Sequence, residues 1–168
     1  GTLGVLQQAT YLDEDGALHL WWASTGGLTE VIFEVMDDGA LNELERHRYT
    51  VANVLPKSPI LGVVIDINGL VTARTAQSLI NHVIGTPFWK VESPASHQFH
   101  GCDGGLAMGS VRHMTTDPNN GQLLLAMRDG VVAKIGDGED GSAWDCTPAT
   151  VVDEDLEVTT VAVAPLPD

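Results

Sequence analysis

Basic residues are scarce in this chain: 8 Lys and Arg stand against 23 Asp and Glu, for a formal net charge of -15. Nothing resembles the Lys/Arg stripe that neutralises a phosphate backbone, so the expectation is no nucleic-acid binding and no anionic membrane surface. Cysteine is nearly absent too. Cys102 and Cys146 are too few for a disulfide framework, and their spacing fits either a pair or two free thiols in a reducing compartment. No apolar run approaches the ~20 residues of a membrane span. The start, Gly1-Thr2-Leu3-Gly4, lacks the basic residues and apolar stretch of a signal peptide. The compartment expected from these absences is the cytoplasm.

Hydrophobic residues make up 43% of the 168, which excludes disorder of the whole chain and supplies a core without disulfides. No composition break marks a linker and no repeat stands out, so residues 1–168 read as a single compact domain. The acidity reads first as a solvated surface, because net charge governs solubility before it selects partners.

The recurring local signal is Asx-Gly between apolar runs: Asp15-Gly16, Asp38-Gly39, Asn68-Gly69, Asn120-Gly121 and Asp129-Gly130. Such pairs predict tight primed turns, and the flanking runs 18–23, 31–36, 61–65, 123–127, 131–135 and 158–163 predict strands. One segment predicts a helix. Ala76, Leu79, Ile80, Val83 and Ile84 form an apolar stripe at helical spacing, opposite Arg74, Gln77, Asn81 and His82. Thr72 or Thr75 caps its start, while Gly85 and Pro87 stop it. A second helix is compatible with 40–54, although Tyr49-Thr50-Val51 serves a strand equally well. The fold class expected is α+β: an antiparallel sheet of hairpins with one main helix, 73–85, packed on a face.

Site material concentrates in a long loop, 92–105, where His97, His100, Cys102 and Asp103 are joined further on by His113. Imidazole and thiolate ligate zinc, but His-x-x-His-x-Cys matches no established metal spacing, so no metal is expected. As a nucleophile Cys102 is disfavoured by Asp103, whose charge raises a thiol pKa. A second Gly/Asp-rich loop, 136–146, fails the alternating ligand pattern of a calcium loop. Adjacent Trp21 and Trp22, if on a strand, point to opposite faces. Trp89 completes the set of candidate ligand-binding residues with His97, His100, Cys102, Asp103 and His113.

Three stretches resemble known families. The hairpin at 61–73 and the closing one at 122–135 make 39–136 similar to a roadblock or longin-type domain, which implies an α-β-β-α-β-β-β unit and a dimeric scaffold. Phe88-Trp89, Pro94-Ala95-Ser96, Phe99-His100-Gly101 and Gly104 to Val111 resemble an entry segment of HD-type phosphohydrolases. Gly109 and Arg128 stand where that family has its metal-binding histidines. Thr2-Leu3-Gly4, 12–16 and 24–27 resemble the β-subunit of asparaginase-type N-terminal-nucleophile hydrolases, with Gly1 blocking the amine of Thr2.

The function expected is a non-catalytic ligand- or protein-binding module, homo-oligomeric, whose residues name no cofactor. Two alternatives stand beside it. One is a small hydrolase or metal enzyme centred on His97, His100, Cys102 and His113. The other is an acidic decoy for a basic protein.

Overall fold

The computed structural model describes residues 5–55, 59–92, 111–127, 130–134 and 144–148. Every element among them is a strand, and the strands form three antiparallel four-stranded sheets. Sheet 1 holds β1 (Val5–Leu12), β2 (Ala17–Ser24), β3 (Gly27–Val35) and β4 (Leu41–Tyr49) in sequence order. Sheet 2 holds β5 (Gly62–Ile65), β6 (Leu70–Arg74), β7 (Leu79–Val83) and β8 (Trp89–Glu92). Sheet 3 holds β9 (His113–Thr116), β10 (Leu123–Met127), β11 (Gly130–Lys134) and β12 (Trp144–Pro148). The chain divides into two units, one of Gly1–Ala76 with Ile80–Val91 and one of Gln77–Leu79 with Glu92–Asp168.

The expected α+β class is therefore corrected to all-β, and the helix 73–85 is replaced by the end of β6, a turn and β7. Burial shows why the apolar stripe misled. His82, assigned to the polar side, is buried at 5% exposure, whereas Val83, assigned to the stripe, is 47% exposed. Strand β7 lies inside its sheet, with Leu79 and Ile80 fully buried although they point to opposite faces. A strand apolar on both faces places hydrophobics at adjacent positions, and over so short a run that pattern coincides with i, i+3, i+4. The β-branched residues Ile80, Val83 and Ile84 favour the strand. Within the segment 40–54, Leu41–Tyr49 forms β4, with a bulge opposite Ile32 and Phe33, and residues 51–54 form a turn. The helices implied by the roadblock and phosphohydrolase resemblances have no counterpart among the described residues.

The predicted hairpins at Gly16, Gly39, Gly69 and Gly121 are present, with φ of 82°, 81°, 75° and 74°. They are not primed turns. Among the described residues only glycines have positive φ, and each of these four follows the central pair of its turn, whereas types I′ and II′ need positive φ within that pair. Two of these turns share one chemistry, set by an Asp three residues ahead of the Gly, and a third, at Asp117, is a one-residue-longer variant. The amides of Gly16, Gly69 and Gly121 donate to the carbonyls of Asp13, Asp66 and Asp117 at 3.1, 3.2 and 2.8 Å. Asp13 Oδ1 accepts from the Ala17 amide at 2.7 Å, and Asp66 Oδ1 from that of Leu70 at 2.8 Å. Each of these turns joins the first and second strand of its sheet. The three Asp residues lie about fifty residues apart, a period typical of repeat architectures. The chain thus forms three four-stranded meanders in succession.

In the first unit, sheets 1 and 2 enclose a core of Trp21, Ala23, Leu28, Val63, Val71 and Ile80, among others. Alternation along β2 fixes what lies on each side. His19, Trp21 and Ala23 are buried, while Leu18, Leu20, Trp22 and Ser24 on the other face are only half-buried.

Candidate functional site

Two features of the first unit could carry function, one closed and one open. The closed one is a polar and aromatic network on the inner face of sheet 1. His19 lies with Nδ1 2.9 Å from Glu30 Oε1 and Nε2 3.2 Å from Asp13 Oδ2, and the Tyr49 hydroxyl donates to Glu30 Oε2 at 3.0 Å. An imidazolium donates to both carboxylates, whereas a neutral ring donates to one. Burial pushes the Asp13 carboxyl up, but the hydrogen bonds from the Ala17 amide and His19 outweigh it and hold it below its usual range. Burial, the charge of Glu30 and the hydrogen bond to it all push the Tyr49 phenol well above its ordinary value.

Rings seal this network. Trp21 stacks on Tyr49 with centroids 5.4 Å apart and planes 3° from parallel, and His82 stacks on Trp89 at 4.3 Å and 13°. Tyr49 and Trp89 meet at 4.8 Å with a tilt of 57°. The ring of His82 is held by a contact of 3.1 Å between Nδ1 and the Phe88 carbonyl. Trp21 is fully buried and its Nε1 has no hydrogen-bond partner among the described residues. The network joins sheet 1 to sheet 2 and its polar groups largely satisfy one another. The network forms part of the interior of the first unit.

The open feature is the opposite face of sheet 1. Cross-strand pairing lines up Leu12 with Leu18, Leu18 with Phe33, and Leu20 with Val31, of which Val31, in the middle of the face, is itself covered at 1% exposure. Leu6, Leu12, Val35 and Leu41 are 49%, 60%, 45% and 51% exposed, and Leu18, Leu20, Trp22 and Phe33 are half-buried. The Arg46 guanidinium lies over the Trp22 ring, 5.9 Å from its centroid, and is held by Glu43 at 2.8 Å. Solitary exposed leucines are ordinary, but contiguous apolar rows on one sheet face mark an interaction surface.

Of the residues singled out from sequence, His97, His100, Cys102 and Asp103 lie outside the described residues. His113 stands on β9 in the second unit, half-buried, with its Nδ1 unpartnered among the described residues. Trp89 belongs to the closed network of the first unit. Among the described residues no three His, Cys, Asp or Glu side chains are grouped to hold a metal. Part of the predicted loop 136–146 is instead strand β12, on which Cys146 is disulfide-bonded. Sequence reasoning missed His19, Glu30, Tyr49 and His82, which are scattered along the chain and converge only through strand pairing. The open face was legible in part through the Trp21-Trp22 pair.

No family model matches this chain and no curated protein matches it. Among solved structures it is similar to the extracellular domain of a putative hybrid two-component system from B. thetaiotaomicron. That likeness has 18% identity and a TM-score of 0.43, and it covers 79% of this chain but 17% of that one. A likeness so distant fixes neither the fold nor the function.

Proposed function

We propose that this chain is a non-catalytic interaction module, a repeat of four-stranded β-meanders that binds protein through the open face of sheet 1. The observation that carries the reading is the apolar stretch on that face, with Leu12, Val35 and Leu41 exposed at the hairpin end and Leu18, Leu20, Phe33 and Trp22 half-buried beyond them, Trp22 lying under Arg46. Tryptophan and arginine are the residue types that dominate binding energy when a partner desolvates them, and the guanidinium over the indole adds a cation–π contact. Each sheet also has the size and connectivity of a propeller blade, an element whose faces are normally covered by further sheets.

The disulfide at Cys146 favours an oxidising compartment over the cytoplasm expected from sequence. The test of the functional reading is binding of an apolar-surface dye. Wild type should enhance its fluorescence and Trp22→Glu should lose most of that enhancement, with thermal stability little changed. A chain that binds no dye, or binds it equally after the substitution, contradicts the proposal.

A further inference from the structure

Resting on that reading, we infer that the partner of the open face of sheet 1 is a second copy of this chain, paired about a two-fold axis. The first argument is complementarity already encoded in the molecule. The inner face of sheet 1 is closed by sheet 2, another four-stranded meander, so the surface that fits a face of this sheet is a further sheet of the same build. A second copy brings such a sheet without a foreign partner.

The second argument is charge. Sheet 1 is polar along its strands: the hairpins β1–β2 and β3–β4 lie at one end, and the β2–β3 turn and the close of β4 lie at the other. The hairpin end carries Glu14, Asp15, Asp37 and Asp38, all exposed. Toward the opposite end stand Arg46 and Arg48, two of the 8 basic residues in a chain of net charge -15. Glu43 answers Arg46, whereas Arg48 meets no carboxylate among the described residues. A two-fold axis running across the strands sets the acidic end of one sheet over the basic end of its partner, twice. Between the two charged ends, the half-buried Leu18, Leu20 and Phe33 face the partner. An axis along the strands would set like charges over like and is disfavoured.

The geometry thus assigns attraction to both ends of the contact and apolar burial to its centre. The test is sedimentation equilibrium over a dilution series, at low and at high salt, on the chain with its disulfide intact. Wild type should be a reversible dimer that weakens with salt. Trp22→Glu, which removes the largest apolar side chain of the face, and the double substitution Arg46→Glu with Arg48→Glu, which leaves it, should each weaken the dimer about tenfold or more, a change of ~1.4 kcal/mol or greater. Adding Asp15→Lys and Asp38→Lys to the arginine variant should restore the dimer, an outcome that general destabilisation cannot produce. A wild-type monomer at every concentration overturns the inference, as does a dimer indifferent to both variants. If that monomer still binds the apolar dye through Trp22, the functional reading survives with a foreign partner. If it does not, both fall.

Discussion

Tyr49 donates its hydroxyl to Glu30 at 3.0 Å while its ring lies flat on Trp21, so one side chain on the outermost strand completes both the polar and the apolar half of the sheet 1 interior. Tyr49→Phe keeps the stack and removes the donor. Glu30, only 4% exposed, is then left with His19 alone. The expected loss is about 1–3 kcal/mol, the cost of stripping a buried acceptor of a partner. Urea unfolding with an unchanged slope should show it as a lowered midpoint.

The same pair sets the alkaline limb of stability. The phenol of Tyr49 is raised in the folded chain above its ordinary 10.0, so that near this pH the unfolded chain loses its proton first. Stability from this group is complete below the unfolded value and drains away as pH climbs toward the folded one. Tyr49→Phe should flatten that decline. An unfolding midpoint followed between neutral and alkaline pH checks it, and an identical decline in the variant would contradict it.

Asp13 works in the opposite direction. Its carboxyl is depressed below 3.8 in the folded chain despite burial, by the bonds from Ala17 and His19. Its contribution is present above the unfolded value and is lost as pH falls through the folded one. Asp13→Asn should therefore cost stability at neutral pH and make the acid limb shallower, read by thermal melts across the acid range.

Gly27 begins β3 at φ 129°, and a Cβ there would run into the Tyr49 carbonyl. Gly39 also has positive φ, but a Cβ there meets nothing within 4 Å. Gly39→Ala should cost about 1–2 kcal/mol, the conformational term alone. Gly27→Ala adds a backbone collision that forces β3 and β4 apart, so its loss should be clearly larger. Paired denaturation curves compare them directly.

The disulfide at Cys146 ties down β12 at the edge of sheet 3. Cys146→Ser should lower stability by about 2–5 kcal/mol, the usual effect of removing a native disulfide from a small domain. A melt unaffected by both the substitution and a thiol reductant would argue for free thiols.

How much of this was legible in the sequence differs by feature. The glycines at 16, 39, 69 and 121 announced their turns because no other residue type takes positive φ so cheaply. The strands beside them followed from short apolar runs. The succession of meanders stayed hidden because attention to Asx-Gly pairs passes over Asp13, Asp66 and Asp117, whose side chains accept amides within or just beyond each turn. Residues 76–84 read as a helix because periodicity cannot separate a doubly buried strand from one turn after another of amphipathic helix. The network of His19, Glu30, Tyr49 and His82 has no local signature at all. Its members are brought together by register, which only the assembled sheets define.

Register is also what the account stands on, since a slip of one residue along β2 would exchange its two faces. The most direct test is hydrogen exchange of the tryptophan indole N–H groups by NMR, at concentrations low enough to keep the chain monomeric. The Trp21 indole, buried beneath Tyr49, should exchange slowly, and that of Trp22, on the open face below Arg46, should exchange fast. A protected Trp22 beside a rapidly exchanging Trp21 would mean that the proposed binding face is the core and the proposed core is the surface.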